Sequence, residues 1–191
     1  DGSRGVLVRK IAYRPFDHRW FAPIAPLCHR PRPELLAAVD RSRLALVTVR
    51  KDRGDRPWAH FAAATSVIDN CVLSTRSSCR ARAFPTHDPH GRENLAQGVA
   101  AAFAQRVGRG IDSTEFCLYA LAVLASPAYR ARHDEALRID YPRIPPPKDR
   151  AHFEALCAAG STLCALFCDP ASKQNATSAL ARLSAGLDAL L

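Results

Sequence analysis

The chain has 191 residues, 48% of them hydrophobic, enough apolar material for one folded core and too much for a disordered polyelectrolyte. Its formal net charge of +9 is confined to one half: residues 1–92 hold 17 Lys+Arg against 8 Asp+Glu, whereas residues 93–191 hold 10 of each. No apolar run approaches the roughly 18 residues that span a bilayer and no signal peptide opens the chain, so the expected setting is cytoplasmic, without a membrane partner.

The seven cysteines are odd in number and include no CxxC pair. They read as buried free thiols of a reducing compartment rather than as disulfides or a structural zinc site. The chain contains no methionine and opens Asp1-Gly2-Ser3, which reads as the interior of a longer polypeptide.

Residues 5–12 alternate loosely (Val6, Val8, Ile11) and predict a strand. They run into YRPFDHRW at 13–20, where Pro15 breaks any regular element. Aromatic and basic residues interleaved in this way can stack on bases and hold phosphates. They can equally form an anchored turn, with Phe16 and Trp20 buried and Asp17 paired to Arg14 or Arg19. Prolines at 23, 26, 31 and 33 mark a loop that ends in a short helix over 33–39. Residues 44–49 (LALVTV) are the clearest strand, and 58–63, 66–73 and 80–84 are further short strands. Between them lie two basic connectors, RKDRGDRP at 50–57 and STRSS at 74–78.

After a turn at 86–92 the pattern becomes helical. Asn94 is the expected cap of a helix that Gly108 and Gly110 end, and Asp112-Ser113 opens another. Ser126 and Pro127 start a third, in which Tyr129, His133 and Leu137 recur every four residues. Pro142 and Pro145-Pro146-Pro147 impose an extended elbow. Asp149 then caps a helix with Phe153, Leu156, Cys157, Leu163, Cys164 and Phe167 on one face, and Ser172 is the expected cap of a last amphipathic helix. The resulting expectation is an α+β fold. A small, mostly antiparallel basic sheet with loops (1–92) packs against a helical part of the same domain (93–191).

No GxGxxG, phosphate-binding loop, nucleophile–base signature or paired-carboxylate nuclease pattern is present. His87, Asp88 and His90 have no second ligand pair nearby in sequence. The chain alone therefore reads as non-catalytic, with no cofactor or metal.

Four segments in order resemble one family. YRPFDHRW at 13–20 is similar to the YRPFDxRW segment that opens the C-terminal specificity domain of type ISP restriction–modification enzymes. Residues 94–95 and 119–130 resemble that domain's YxxAxLxSPxYR helix pair, and 137–145 its LKxDFPRIP elbow. Phe153, Leu156, Gly160 and Leu163 match its FxxLxxxGxxL helix, so the likeness covers residues 8–167. It implies a target-recognition domain that reads double-stranded DNA beside an N6-adenine methyltransferase domain, the user of S-adenosylmethionine, on the same polypeptide.

On this reading Arg50, Lys51, Arg53 and Arg56 in one loop, and Arg76, Arg80 and Arg82 around another, are the expected DNA contacts. Arg14 and Arg19 are second choices because they can be structural. Charge reversal at Arg53 and Arg56 should weaken binding far more than reversal at Arg130 and Arg132. Tyr129, Pro142 and Pro145 are expected to hold the fold. The alternative is a protein-interaction or coupling module whose basic half docks an acidic partner.

Overall fold

Residues 44–49 are apolar at almost every position, and in the computed structural model they run through the interior rather than along its edge. The structure describes residues 8–24, 32–42, 44–75 and 79–191. Strand β3 (Ala45–Val49) is buried at all five positions. It lies between β4 (Phe61–Ala64) and β6 (Ala81–Pro85), antiparallel to both. A continuous apolar run is what a strand covered on both faces requires.

A second three-stranded sheet contains β1 (Arg9–Arg14), β2 (Asp17–Phe21) and β5 (Val67–Ile68), in the order β2-β1-β5. β1 and β2 form an antiparallel hairpin, whereas β5 joins β1 in parallel. Pro15 thus does not end regular structure; it makes the hairpin turn, and the chain continues as β2. The next residue, Phe16, has φ 62, a left-handed conformation that a bulky side chain seldom adopts. Its ring stacks on Phe167 with centroids 5.0 Å apart and planes 4° apart, and this packing offsets the backbone cost.

Helix α1 (Pro33–Arg41) follows, and the remaining α-helices come from the C-terminal half. They are α2 (Gln97–Val107), α3 (Ser113–Ala125), α4 (Pro127–Arg132), α5 (Asp134–Ile139), α6 (Arg150–Cys168) and α7 (Ala176–Leu187). α3 starts where Asp112 and Glu115 form a reciprocal capping box. From Tyr119 to Ala125 it is wholly buried, with sheet β4-β3-β6 on one side and α6 on another. An all-round apolar helix is the expected occupant of such a position. The two helices approach so closely at Gly160 that a Cβ there would lie 2.0 Å from the Leu118 carbonyl oxygen.

By length and composition alone α6 is apolar enough to cross a membrane, contrary to the sequence expectation. Its apolar face is packed instead: Phe153, Leu156, Leu163 and Phe167 are buried.

The elbow at 140–148 is held by two phenols. Tyr129 donates to the Arg143 carbonyl at 2.7 Å and Tyr119 to the Pro145 carbonyl at 3.1 Å. Other sequence expectations shift. The strand predicted over 66–73 shrinks to β5, with turns from Asn70 onward, and the helix after Ser126 breaks at His133 into α4 and α5. Asn94 does not cap α2; its amide donates to the Pro85 carbonyl at 2.8 Å. Ser172 sits inside a short 3-10 helix (Pro170–Gln174), and α7 begins after Asn175. The six described cysteines are free thiols, and Cys28 lies outside the described residues.

Candidate nucleic-acid interface

The loop after β3 carries four of the predicted cations, and it is built around a buried acid and a remote arginine. Asp52 turns inward, and its backbone N–H donates to the Arg138 carbonyl at 3.0 Å. The Arg138 guanidinium, projecting from α5, donates to the Gly54 and Arg56 carbonyls at 2.7 Å each. It also pairs with Asp134 at 2.7 Å and approaches Asp52 Oδ2 at 3.5 Å. One planar fork thus satisfies several loop acceptors at once, in a fixed geometry that a single ammonium point charge reproduces only in part. Burial works against the Asp52 carboxylate, yet the Gly54 N–H, the Cys79 thiol and His60 hold its pKa below the ordinary value. With this loop backbone anchored, Lys51, Arg53 and Arg56 extend into solvent.

Arg50 is 62% exposed but not unattached. It pairs with Asp140 at 3.1 Å, and its guanidinium lies 6.0 Å from the Tyr141 ring. The β3–β6 register pairs Val49 with Ala81 and Thr48 with Arg82. Arg50 therefore emerges beside Arg80, and Arg80 and Arg82 are both exposed. Arg76 lies outside the described residues.

Arg14 and Arg19 both lie over the Tyr13 ring, at 4.0 and 3.8 Å from its centroid. Arg14 also pairs with Asp69 at 3.0 Å, and Arg19 with Asp17 at 3.7 Å. These two arginines take part in holding the hairpin. Trp20 is 67% exposed rather than buried, with the Lys10 ammonium 5.5 Å from its ring. The hairpin is therefore an anchored turn at Phe16 and an aromatic–basic surface at Trp20.

These segments meet. A cleft of about 390 Å³ is lined by Arg14 and Pro15 from the hairpin, Asp55 and Arg56 from the loop, and Ser74 and Thr75 from the second connector. By contrast, Arg130 is unsuited as a surface control for charge reversal. It is half-buried, donates to the Leu124 and Ala125 carbonyls at 3.0 and 2.6 Å, and lies 5.2 Å from the Phe61 ring. Sequence reasoning missed Arg138, Lys10 and the buried Asp52. The i,i+4 spacing of Asp134 and Arg138 signals a helix ion pair but gives no sign of the loop that it serves.

The family model described as the type ISP C-terminal specificity domain matches residues 3–180. The chain belongs to that family. The match extends beyond the motif-bearing stretch at both ends and includes the first part of α7. A sequence comparison with curated proteins gives no match.

Among solved structures, the specificity domain is similar to part of the DrdV–DNA complex, with TM-score 0.69 and 22% identity over 84% of this chain. It is similar to the type ISP restriction–modification enzyme LlaBIII bound to DNA, with TM-score 0.66 and 16% identity over 88% of the chain. It also resembles a nuclease-deletion mutant of LlaGI in complex with a DNA substrate mimic, with TM-score 0.59 and 19% identity over 85%. These likenesses are of fold, and the chain spans only 16%, 11% and 11% of the three partners' lengths.

Proposed function

We propose that this specificity domain recognises a target sequence in double-stranded DNA for a type ISP-like restriction–modification polypeptide. In this reading it presents the site to an N6-adenine methyltransferase domain of the same polypeptide, which binds S-adenosylmethionine, and the helical half docks that domain. Lys51, Arg53 and Arg56 in the anchored loop, with Arg50, Arg80 and Arg82 at the neighbouring sheet end, supply the DNA contacts. Arg14 and Arg19 orient the hairpin beside them.

The observation that carries the reading is the convergence of hairpin, loop and second connector on one cleft, in the half that holds all the excess positive charge. Family membership supports it, as do structural relatives whose complexes contain DNA. Phosphate contacts would supply salt-dependent affinity, and arginine forks to base edges about 1–3 kcal/mol of discrimination each.

The test is selection from randomised duplex DNA at two salt concentrations, with the isolated domain and the natural full-length polypeptide run in parallel. Enrichment of an asymmetric motif with an adenine on one strand is expected. Salt-sensitive binding without any motif in both proteins would overturn target recognition and favour a coupling module with an acidic partner.

A further inference from the structure

We propose that Asp52, His60 and Cys79 form a zinc-binding site that fastens the basic loop to the strands behind it. The three residues come from separate segments: Asp52 after β3, His60 just before β4 and Cys79 just before β6. Cys79 Sγ lies 3.2 Å from Asp52 Oδ1, and His60 Nε2 lies 3.2 Å from Asp52 Oδ2. One ligand atom from each residue falls within 4.8 Å of the other two. Tetrahedral zinc, with bonds of about 2.0 Å to N or O and about 2.3 Å to S, sets its ligand atoms roughly 3.3–3.7 Å apart. Thiol and imidazole each meet one of the two carboxylate oxygens at close to this spacing, and the remaining edge, within 4.8 Å, closes as the ion binds.

The donor set selects the metal. A thiolate, an imidazole and a carboxylate suit zinc, whereas magnesium and calcium favour oxygen alone. The site is also sheltered, with the Asp52 and His60 side chains 4% and 16% exposed and Cys79 buried. Outer partners fix the ligands. The Gly54 N–H donates to Asp52 Oδ1 at 2.8 Å, and Thr48 Oγ1 donates to the His60 carbonyl at 2.9 Å. The Trp58 ring meets His60 edge-on with centroids 6.0 Å apart. The nearby Arg138 cation is shared with Asp134, which lessens its competition for Asp52.

All three residues border the 390 Å³ cleft, which leaves room for a water at the fourth position. The order of the three groups disfavours a nucleophilic role for Cys79. The carboxylate stands between thiol and imidazole, so the imidazole is not placed to take the sulfur's proton. Binding replaces the Cys79 thiol proton: Zn²⁺ and the thiol give a zinc–thiolate bond and one released proton.

The test is metal titration of the natural full-length protein after chelator washing, first with zinc and then with cobalt as a spectroscopic stand-in. The expected result is one equivalent of zinc bound and a rise in melting temperature that a chelator reverses. Cobalt should give a thiolate-to-metal charge-transfer band that Cys79→Ser abolishes and Cys71→Ser leaves intact. His60→Ala should weaken zinc binding by more than roughly 100-fold, the upper range for losing an outer-shell partner. Wild-type protein that binds no zinc against a competing chelator would overturn the site without recourse to any variant, leaving a hydrogen-bonded Cys–Asp–His chain. Zinc binding without a thiolate band, or unchanged in a folded Cys79→Ser variant, would overturn it equally.

Discussion

Arg138 and Asp188 share a trait: each acts on a segment far from it in sequence. Arg138 reaches loop carbonyls 84 and 82 residues away. Arg138→Ala should cost about 1–3 kcal/mol in denaturant unfolding, because it leaves the half-buried Gly54 carbonyl without its donor and breaks the Asp134 pair. It should also lower DNA affinity while removing none of the proposed contacts, whereas Arg138→Lys should recover only part of either. Asp188, just beyond α7, accepts from Ser126 Oγ at 2.6 Å and from the Ala128 N–H at 3.0 Å, at the start of α4. The Ser126 hydrogen bond, then the Ala128 N–H, with Arg130 nearby, holds the Asp188 pKa below its ordinary 3.8. A depressed carboxylate contributes stability that is complete above the unfolded value and fades as pH falls through the folded one. Melting temperatures recorded downward from pH 4 should therefore fall less steeply for Asp188→Asn, which should already be less stable near neutrality.

At the scale of elements, the crossing of α3 and α6 is the least tolerant feature. The obstacle at Gly160 is the Leu118 backbone, 2.0 Å from where a Cβ would stand, and a backbone cannot rotate aside. Gly160→Ala should destabilise the fold by about 1–3 kcal/mol or more despite its better helix propensity. Gly186→Ala, where a Cβ meets nothing within 4 Å, is the matched control and should be neutral or stabilising by chemical denaturation. The elbow is rigid for a different reason. Its prolines donate no backbone hydrogen bonds, so the Tyr119 and Tyr129 phenols supply donors to its carbonyls. Tyr129→Phe should loosen the elbow by about 1 kcal/mol.

Across the whole molecule, charge is segregated by half, and the loop, hairpin and second connector turn one part of the basic half toward a common cleft. Arg53→Glu with Arg56→Glu should weaken DNA binding and reduce its salt slope by about one for each phosphate no longer neutralised. Arg132→Glu with Arg182→Glu, both on exposed positions of the helical half, is the sound control, since Arg130 is part of the fold. Equal losses from the two pairs in titrations at two salt concentrations would place the interface elsewhere.

Local chemistry is legible in the chain wherever the reason is local. The capping acids Asp112 and Asp149, the Ser126-Pro127 start, the proline elbow and the apolar run of β3 follow from backbone sterics and hydrogen-bond valence within a few residues. The motif order similarly identifies the family without coordinates. What needed the tertiary structure are the pairings across the chain. Phe16 on Phe167, Arg138 on the loop, Asp188 on α4 and the meeting of Asp52, His60 and Cys79 join residues that no sequence period relates. Which cations are anchored in the fold and which face solvent was settled in the same way. An arginine's sequence neighbours do not reveal whether a carboxylate or carbonyl from another element will reach it, and that depends on how the elements pack.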